Sequence, residues 1–317
     1  MTVKVGLLCG REYSFPPAFL DRVETLGRKH GVTAEYVTLT GTRMGEPSGY
    51  HVIVDRISHE VEYYRAFLKH AVLEGAYVIN NPFWWTADDK FFNYSVAQKL
   101  GVAVPKTVLL PQKGYPADVD LTPESLRNLG YPIDWDALLD YVGRPAILKP
   151  YSGGGWKHVY KVHDREELLR AYDGTSPYCM TLQQFIHFDQ YVRCFTFGKT
   201  DIMPVAYDPH QRRYLVDHAY LSPELGERIV RDARTLNTAL GYEMNTIEFA
   251  IQDGVPYAID FLNPAPDFER DRITPHYFEI AVQKMAELAI DRALGGGPQR
   301  SWPQWAAMVG LGPATAV

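Results

Sequence analysis

Residues 143–162 read GRPAILKPYSGGGWKHVYKV. The run 146–148 is wholly apolar and closes on Lys149, three glycines turn the chain, and a second strand-like stretch returns. The pattern is that of a β-hairpin with a glycine-rich tip. Glycine lets the backbone approach a ligand closely and adopt positive φ. The N–H groups of such a loop cradle phosphate oxygens, which makes Ser152, Gly153, Gly154 and Gly155 candidate phosphate contacts, with Lys149 and Lys157 beside them. A flexible hairpin tip without a ligand would carry the same triplet. No helix follows, and neither the G-x-x-x-x-G-K-[ST] nor the G-x-G-x-x-G spacing is present. Lys149 says more, because a lysine at the end of a buried strand needs an anionic partner. A second lysine, Lys90 in ADDKFF (87–92), stands near a helix start, where a cation gains nothing from the dipole. Its neighbours Asp88 and Asp89 offer an ordinary ion pair instead.

Toward the C-terminus, MNTIEFAIQDGVPYAIDFLN (244–263) reads as a second hairpin, turned at Asp253-Gly254. Glu248 lies on one strand, Asp260 on the other, and Asn263 just beyond. Both acids sit in otherwise apolar segments. Two carboxylates this close repel unless one protonates or a cation sits between them. Oxygen ligands from Asp, Glu and Asn suit Mg²⁺, completed by water and phosphates. A strand-edge pair reaching water is the plainer alternative.

Around these hairpins the chain alternates strand and helix over its first 85 residues or so, which predicts a small open parallel sheet. Strand-like runs cover 3–8, 34–39, 50–57 and 77–80, with helical spacing over 19–26 and 60–73. A helix is expected over 87–100, loops with two short helices over 114–143, and a helix over 164–172 capped by Asp164. MTLQQFI, YVRCFTFG and DIMPVAY follow one another without room for helices and are therefore expected to pair antiparallel. Helices over 222–240 and 275–294 complete the pattern, and a Gly- and Pro-rich tail follows.

The 317 residues are 46% hydrophobic and 22% charged, which fits a soluble globular chain with a sizeable core. A net charge of −6 with no Lys/Arg run argues against nucleic acid as partner. Three scattered cysteines (Cys9, Cys179, Cys194) exclude a disulfide framework and suggest packing roles in a reducing compartment. No apolar stretch approaches the ~20 residues that cross a bilayer, and the N-terminus reads as a strand rather than a signal peptide. A cytoplasmic protein is expected.

In order and spacing these pieces resemble the ATP-grasp superfamily over nearly the whole chain. The likeness is greatest to the branch of glutathione synthetases, D-alanine–D-alanine ligases and the ligases that glutamylate ribosomal protein tails. DDK (88–90) and GVAVPKT (101–107) match the linker lysine and the strand after it. ILKP (147–150) and SGGG (152–155) match the lysine-ended strand and glycine loop. QQFI (183–186) matches the hinge, YVRCF (191–195) the strand arginine, and YAIDFLNPAP (257–266) the metal strand. The final motif has two residues between Asp260 and Asn263 where the family usually has one, and Gln184 stands where an acid is common.

The resemblance implies an α/β composite: a pre-ATP-grasp α/β domain (1–85), a small lobe with the glycine-rich loop (86–186), and a large lobe with the metal site (187–317). The antiparallel sheets of the two lobes would clasp ATP. It implies an Mg²⁺- and ATP-dependent ligase that joins a carboxylate to an amine or thiol through an acyl-phosphate. Lys90, Lys149, residues 152–155, Gln183, Gln184, Phe185, Ile186, Asp189 and Gln190 would hold the nucleotide. Glu248, Asp260 and Asn263 would hold the metal. Arg193 and Lys149 would act on the transferring phosphoryl group. Substrate contacts are sought at Arg11, Arg56, Arg213 and His218, as residues able to bind a carboxylate. Surface arginines solvating loops read the same way. A small-molecule kinase on the same fold, or a nucleotide-binding regulator with a degenerate site, remains open, as does a homodimer; nucleic acid and membrane are not expected as partners.

Overall fold

The computed structural model describes residues 2–83, 89–153, 157–216, 220–295 and 305–310. The chain clusters into two compact units. One comprises residues 1–85, 190–249 and 260–317, the other residues 86–189 and 250–259.

The first unit opens with strands β1 (Val3–Leu8), β2 (Val32–Tyr36), β3 (Val52–Asp55) and β4 (Tyr77–Ile79), ordered β2-β1-β3-β4 with every pair parallel. Parallel neighbours need crossovers; helices α1 (Phe15–Gly27) and α2 (Glu62–Leu73) lie between them in the chain. Phe15, Phe19 and Val23 recur every four residues, so α1 buries one stripe. That stripe belongs to a core with Phe195, Phe197, Phe268 and Phe278. The Phe268 ring lies 5.4 Å from Phe15 and meets Phe195 edge-on at 5.7 Å. Gly75 follows α2 with φ +98°, as a left-handed stop requires.

In the second unit, α3 (Lys90–Lys99) begins after Asp89, whose carboxylate accepts the Phe92 N–H at 3.0 Å. Strands β5 (Thr107–Leu110), β6 (Ala146–Pro150), β7 (Tyr160–Val162) and β8 (Met180–Gln184) form an antiparallel sheet, ordered β5-β8-β6-β7. Helices α4 (Trp135–Val142) and α5 (Arg165–Asp173) help close its core, built on Leu139, Val142, Ala146, Leu148, Leu168 and Leu182. Asp164 caps α5 through the Glu167 N–H. Of the two short helices expected over 114–143, one is α4 and the other a 3₁₀ turn at Pro123–Leu126.

Strand β8 corrects one expectation. It does not pair with the strand that follows it but lies between β5 and β6, with Leu182 opposite Leu148 and Val108. Adjacency in sequence does not specify pairing. Here β8 takes the place between β5 and β6, and residues 185–189 carry the chain on to the next sheet.

That sheet holds β9 (Gln190–Phe197), β10 (Asp201–Asp208), β11 (Arg213–Leu215), β12 (Met244–Gln252) and β13 (Val255–Asp260) in the order β11-β10-β9-β12-β13. Helix α6 (Pro223–Leu240) is capped by Ser222, whose hydroxyl accepts the Leu225 N–H, and stops at Gly241 with φ +80°. Helix α7 (Arg270–Leu294) starts earlier than the sequence suggests. Thr274, at φ +70°, breaks it, and Pro275 opens the longer stretch because it has no N–H to give. A short helix, α8, spans Trp305–Met308. Cys194 is fully buried in β9, where burial pushes its thiol pKa up. No helix among the described residues is long and apolar enough to cross a membrane.

Candidate functional site

In the second unit, Lys90 is the first residue of α3, and its backbone N–H donates to the Tyr151 carbonyl at 2.8 Å. The helix start is thereby tied to the entry of the glycine-rich loop. The Lys90 side chain is nearly enclosed, at 6% exposure. Asp89 spends its carboxylate on the helix cap, and Asp88 lies outside the described residues. Among the described residues, the Lys90 ammonium has neither an ion pair nor a hydrogen bond. One turn along α3, the Tyr94 hydroxyl donates to the Ile259 carbonyl and accepts from Lys149 Nζ at 3.0 Å; Lys149 also donates to Ile259 O at 3.3 Å. Those partners of Lys149 are neutral.

Ser152 is half-buried and Gly153 exposed, with φ +78°. Gly154 and Gly155 lie outside the described residues. At the hinge, Gln183 Nε2 donates to Thr107 Oγ1 at 2.8 Å, and Gln184 Oε1 accepts the Lys106 N–H at 3.2 Å. Strand pairing ends at Gln184, so the peptide groups of Phe185 and Ile186 stand outside the ladder. Lys161 Nζ lies over the Phe185 ring at 3.8 Å, and Ile186 is buried. The Asp189 N–H bonds to Ile251 O at 2.9 Å, and its carboxylate makes no hydrogen bond or ion pair among the described residues.

In the first unit, Arg193 and Glu248 face each other, with Nη2 2.6 Å from Oε1. The Tyr191 hydroxyl donates to the other Glu248 oxygen, and Arg193 Nη1 donates to the Tyr214 hydroxyl at 3.2 Å. The guanidinium lies 3.8 Å above the Tyr207 ring. Burial raises the Tyr191 pKa well above its ordinary value, and the charges of Glu248 and Asp260 add to this. Burial alone would lower the Arg193 pKa, but Glu248 outweighs it and the guanidinium stays charged. Tyr214 is pushed up to about 12, mainly by burial. Among the described residues, Arg193 Nε is buried without an acceptor. Gln190 Nε2 donates to Tyr220 O at 3.0 Å.

Asp260 and Asn263 are half-buried, and neither side chain makes a hydrogen bond among the described residues. Asn263 is held through its backbone, its N–H donating to Asn245 Oδ1 at 2.9 Å. No group of three or more His, Cys, Asp or Glu side chains among the described residues is arranged to hold a metal. The donor set expected from the sequence is two carboxylates and an amide, of which Glu248 is engaged by Arg193 and Tyr191; Mg²⁺ commonly takes only one or two protein carboxylates beside water and phosphate oxygens.

Of the substrate candidates, Arg11 is exposed and paired with Glu60 at 2.9 Å. Arg56 is 3% exposed and donates to both Glu12 Oε1 and the Pro266 carbonyl, with its guanidinium over Phe15 and Phe268. Arg213 is exposed at the start of β11, opposite Asp208. His218 lies outside the described residues.

No protein-family profile matches the chain. A pyruvate carboxylase subunit of Methanothermobacter thermautotrophicus is 24% identical over 184 residues, covering 52% of this chain. The match spans only 37% of that relative's length. Among solved structures, an ATP-grasp RimK domain protein from Sphaerobacter thermophilus superposes with a TM-score of 0.67 at 16% identity, over 92% of this chain and 100% of that one. D-alanine–D-alanine ligase from Bacillus anthracis, complexed with ATP, gives a TM-score of 0.60 at 17% identity, over 93% and 98%. The chain has the ATP-grasp fold. At such identities the likeness carries the ATP-grasp architecture and not a reaction.

Several residues around these side chains are not singled out by motif. Tyr94 was legible as the residue four after Lys90, on the same helical face. Tyr191 shares a strand face with Arg193, two residues away. Asn80, Asn237 and Asn245 carry no sequence signal beyond being polar in apolar runs.

Proposed function

We propose that this chain is an ATP- and Mg²⁺-dependent ligase that activates a carboxylate as an acyl-phosphate and passes it to an amine or thiol. The observation that carries the reading is Lys90. An ammonium enclosed to 6% exposure without an anion among the described residues is costly, and its backbone is tied to the glycine-rich loop, of a kind that can cradle phosphate. A nucleotide phosphate is the partner that both features suit.

On this reading Lys90, Lys149 and the backbone of 152–155 bind phosphates. The unpaired peptide groups of Phe185 and Ile186 take the base edge, with Gln183 and Gln184 fixing the strand end. Asp189 and Gln190 supply polar contacts to the sugar. Asp260 and Asn263, whose side chains are uncommitted, hold Mg²⁺ with Glu248. Bound ATP and Mg²⁺ supply the phosphoryl group and the charge that neutralises it in transfer. Arg193, kept charged by Glu248, stabilises the transferring group, as cations do in phosphoryl transfer. The protein's share is positioning and charge complementarity, with no covalent nucleophile. Arg11, Arg213 and His218 remain candidates for the substrate carboxylate. Arg56, whose donors are spent, is assigned to holding Glu12 and the 266 carbonyl. The domain division proposed is 1–85, 86–186 and 187–317, with a cytoplasmic setting.

Calorimetric titration of ATP into the wild type and Lys90→Met tests the reading. Affinity is expected to fall at least tenfold in the variant, ~1.4 kcal/mol. Without nucleotide, the variant is expected to unfold at a higher denaturant midpoint, because an unpaired buried charge is gone. Unchanged ATP affinity would remove Lys90 from the nucleotide site.

A further inference from the structure

Strand β13 ends at Asp260, yet the chain must still deliver Asn263 with one residue more than the usual motif contains. Phe261 and Leu262 are both buried, at 1% and 7% exposure, so the in-and-out alternation of a strand is broken between them. A backbone that leaves its ladder here needs other partners for its polar groups. Asn245, 1% exposed on β12, supplies them. Its Nδ2 donates to the Phe261 carbonyl at 2.9 Å, and its Oδ1 accepts the Asn263 N–H at 2.9 Å. The second Nδ2 hydrogen goes to Asn237 Oδ1 at 3.0 Å, and Asn237 Nδ2 donates in turn to Thr196 Oγ1 at 3.0 Å. Asn237 and Thr196 are fully buried. Turning the Asn245 amide over would set its oxygen against two acceptors and its NH₂ against a donor, so the network permits one orientation. Next along the chain, the Pro264 carbonyl accepts from Asn80 Nδ2 at 3.2 Å, and Asn80 Oδ1 accepts the N–H groups of Glu243 and Met244 at 2.7 and 2.8 Å.

We propose that Asn245, oriented by Asn237, is a positioning residue that clamps the backbone of 261–263 and so aims Asp260 and Asn263 at the metal. This rests on the reading of Asp260 and Asn263 as metal ligands. The clamp replaces the ladder bonds that the extra residue forfeits. It therefore explains how a lengthened motif still presents two ligands in fixed directions, with Asn80 securing the segment one residue further on. Outer partners of this kind typically change metal affinity 10–100-fold when removed.

The test compares the wild type, Asn245→Ser, Asn245→Asp and Asp260→Asn by two measurements. The first is amide hydrogen exchange of Asn263 in the metal-free protein. The second is Mn²⁺ affinity, by electron paramagnetic resonance, with a β,γ-imido ATP analogue bound. Asn245→Ser is expected to lose at least tenfold in Asn263 protection and ~10-fold or more in Mn²⁺ affinity, with metal-free nucleotide affinity unchanged. Asn245→Asp keeps the acceptor for the Asn263 N–H but not the donor, so it should keep that protection and still weaken Mn²⁺; it carries the test if the serine variant does not fold. Mn²⁺ affinity equal to wild type in the Asn245 variants, while Asp260→Asn loses it, would overturn the positioning role. Wild-type Mn²⁺ affinity in Asp260→Asn would instead overturn the metal-ligand reading beneath it.

Discussion

Glu269 is a carboxylate at 6% exposure that stands immediately before α7, yet its work lies at the other end of the chain. It accepts from the Ser14 N–H at 2.8 Å, the Ser14 hydroxyl at 2.6 Å, and the N–H groups of Tyr13 and Phe15 at 3.2 and 3.3 Å. Ser14 is the N-cap of α1 but bonds none of that helix's amides with its own side chain. Glu269 does so across 255 residues of sequence, at the positive end of the helix dipole. Burial alone would raise its pKa, but the donors outweigh burial and hold it below the ordinary carboxylate value. A depressed folded pKa contributes stability that is present above the unfolded value, near 4.3, and lost as pH falls through the folded value. Glu269→Gln is therefore expected to lose about 1–3 kcal/mol at pH 7. The gap to wild type should narrow below about pH 4, as the wild-type carboxylate takes up its proton. Urea unfolding from pH 3 to 7 measures both, and a gap independent of pH would contradict this assignment.

At the scale of elements, the β12–β13 hairpin carries Glu248 on one strand and Asp260 on the other, so its turn sets which residues of the two strands are neighbours. Asp253 and Gly254 both have positive φ, +52° and +72°, the conformation of a type I′ turn. A Cβ on Gly254 would meet nothing within 4 Å, so only the backbone conformation resists substitution. Gly254→Val should then cost about 1–2 kcal/mol, the penalty of placing a side chain in left-handed backbone. Equilibrium denaturation reads this, and an unchanged midpoint would place the turn elsewhere. This turn was legible in sequence because Asp-Gly between apolar strands has few other solutions. The cap at Asp164 was legible for a similar local reason, a side chain bonding an amide three residues on. Pairing was not. Strand β8 looks like the partner of its successor, yet β5 and β6 occupy its two edges. The start of α7 was hidden by Pro275, since a proline marks a helix beginning equally well when another turn precedes it.

At the scale of the molecule, five successive segments alternate between the two units, so the polypeptide passes between them four times. Lys90, Lys149 and the hinge residues belong to one unit, and Arg193, Glu248, Asp260 and Asn263 to the other. The candidate site was legible as a series of short motifs spread over more than 170 residues, each permissive alone and informative by order. What sequence did not reveal is how each side chain is employed. Arg56 looks available for a substrate carboxylate until its guanidinium is seen enclosed by Glu12, Pro266 and two aromatic rings. The Arg193–Glu248 pair looks like two separate functional residues until they are found 2.6 Å apart. Phosphate release during a screen of amino acids, dipeptides and small dicarboxylates, with mass spectrometry of the products, tests the proposed chemistry most directly. ATP cleavage to ADP and phosphate is expected only with a matching carboxylate, rising sharply when the matching amine or thiol is added. Glu248→Gln and Asp260→Asn should each lose most of that turnover, since each removes a negative charge from the proposed metal site while nearly preserving its shape. A phosphorylated product that persists in the presence of every amine and thiol would contradict the ligase reading, and turnover untouched by both substitutions would contradict the metal-site assignment and the mechanism built on it.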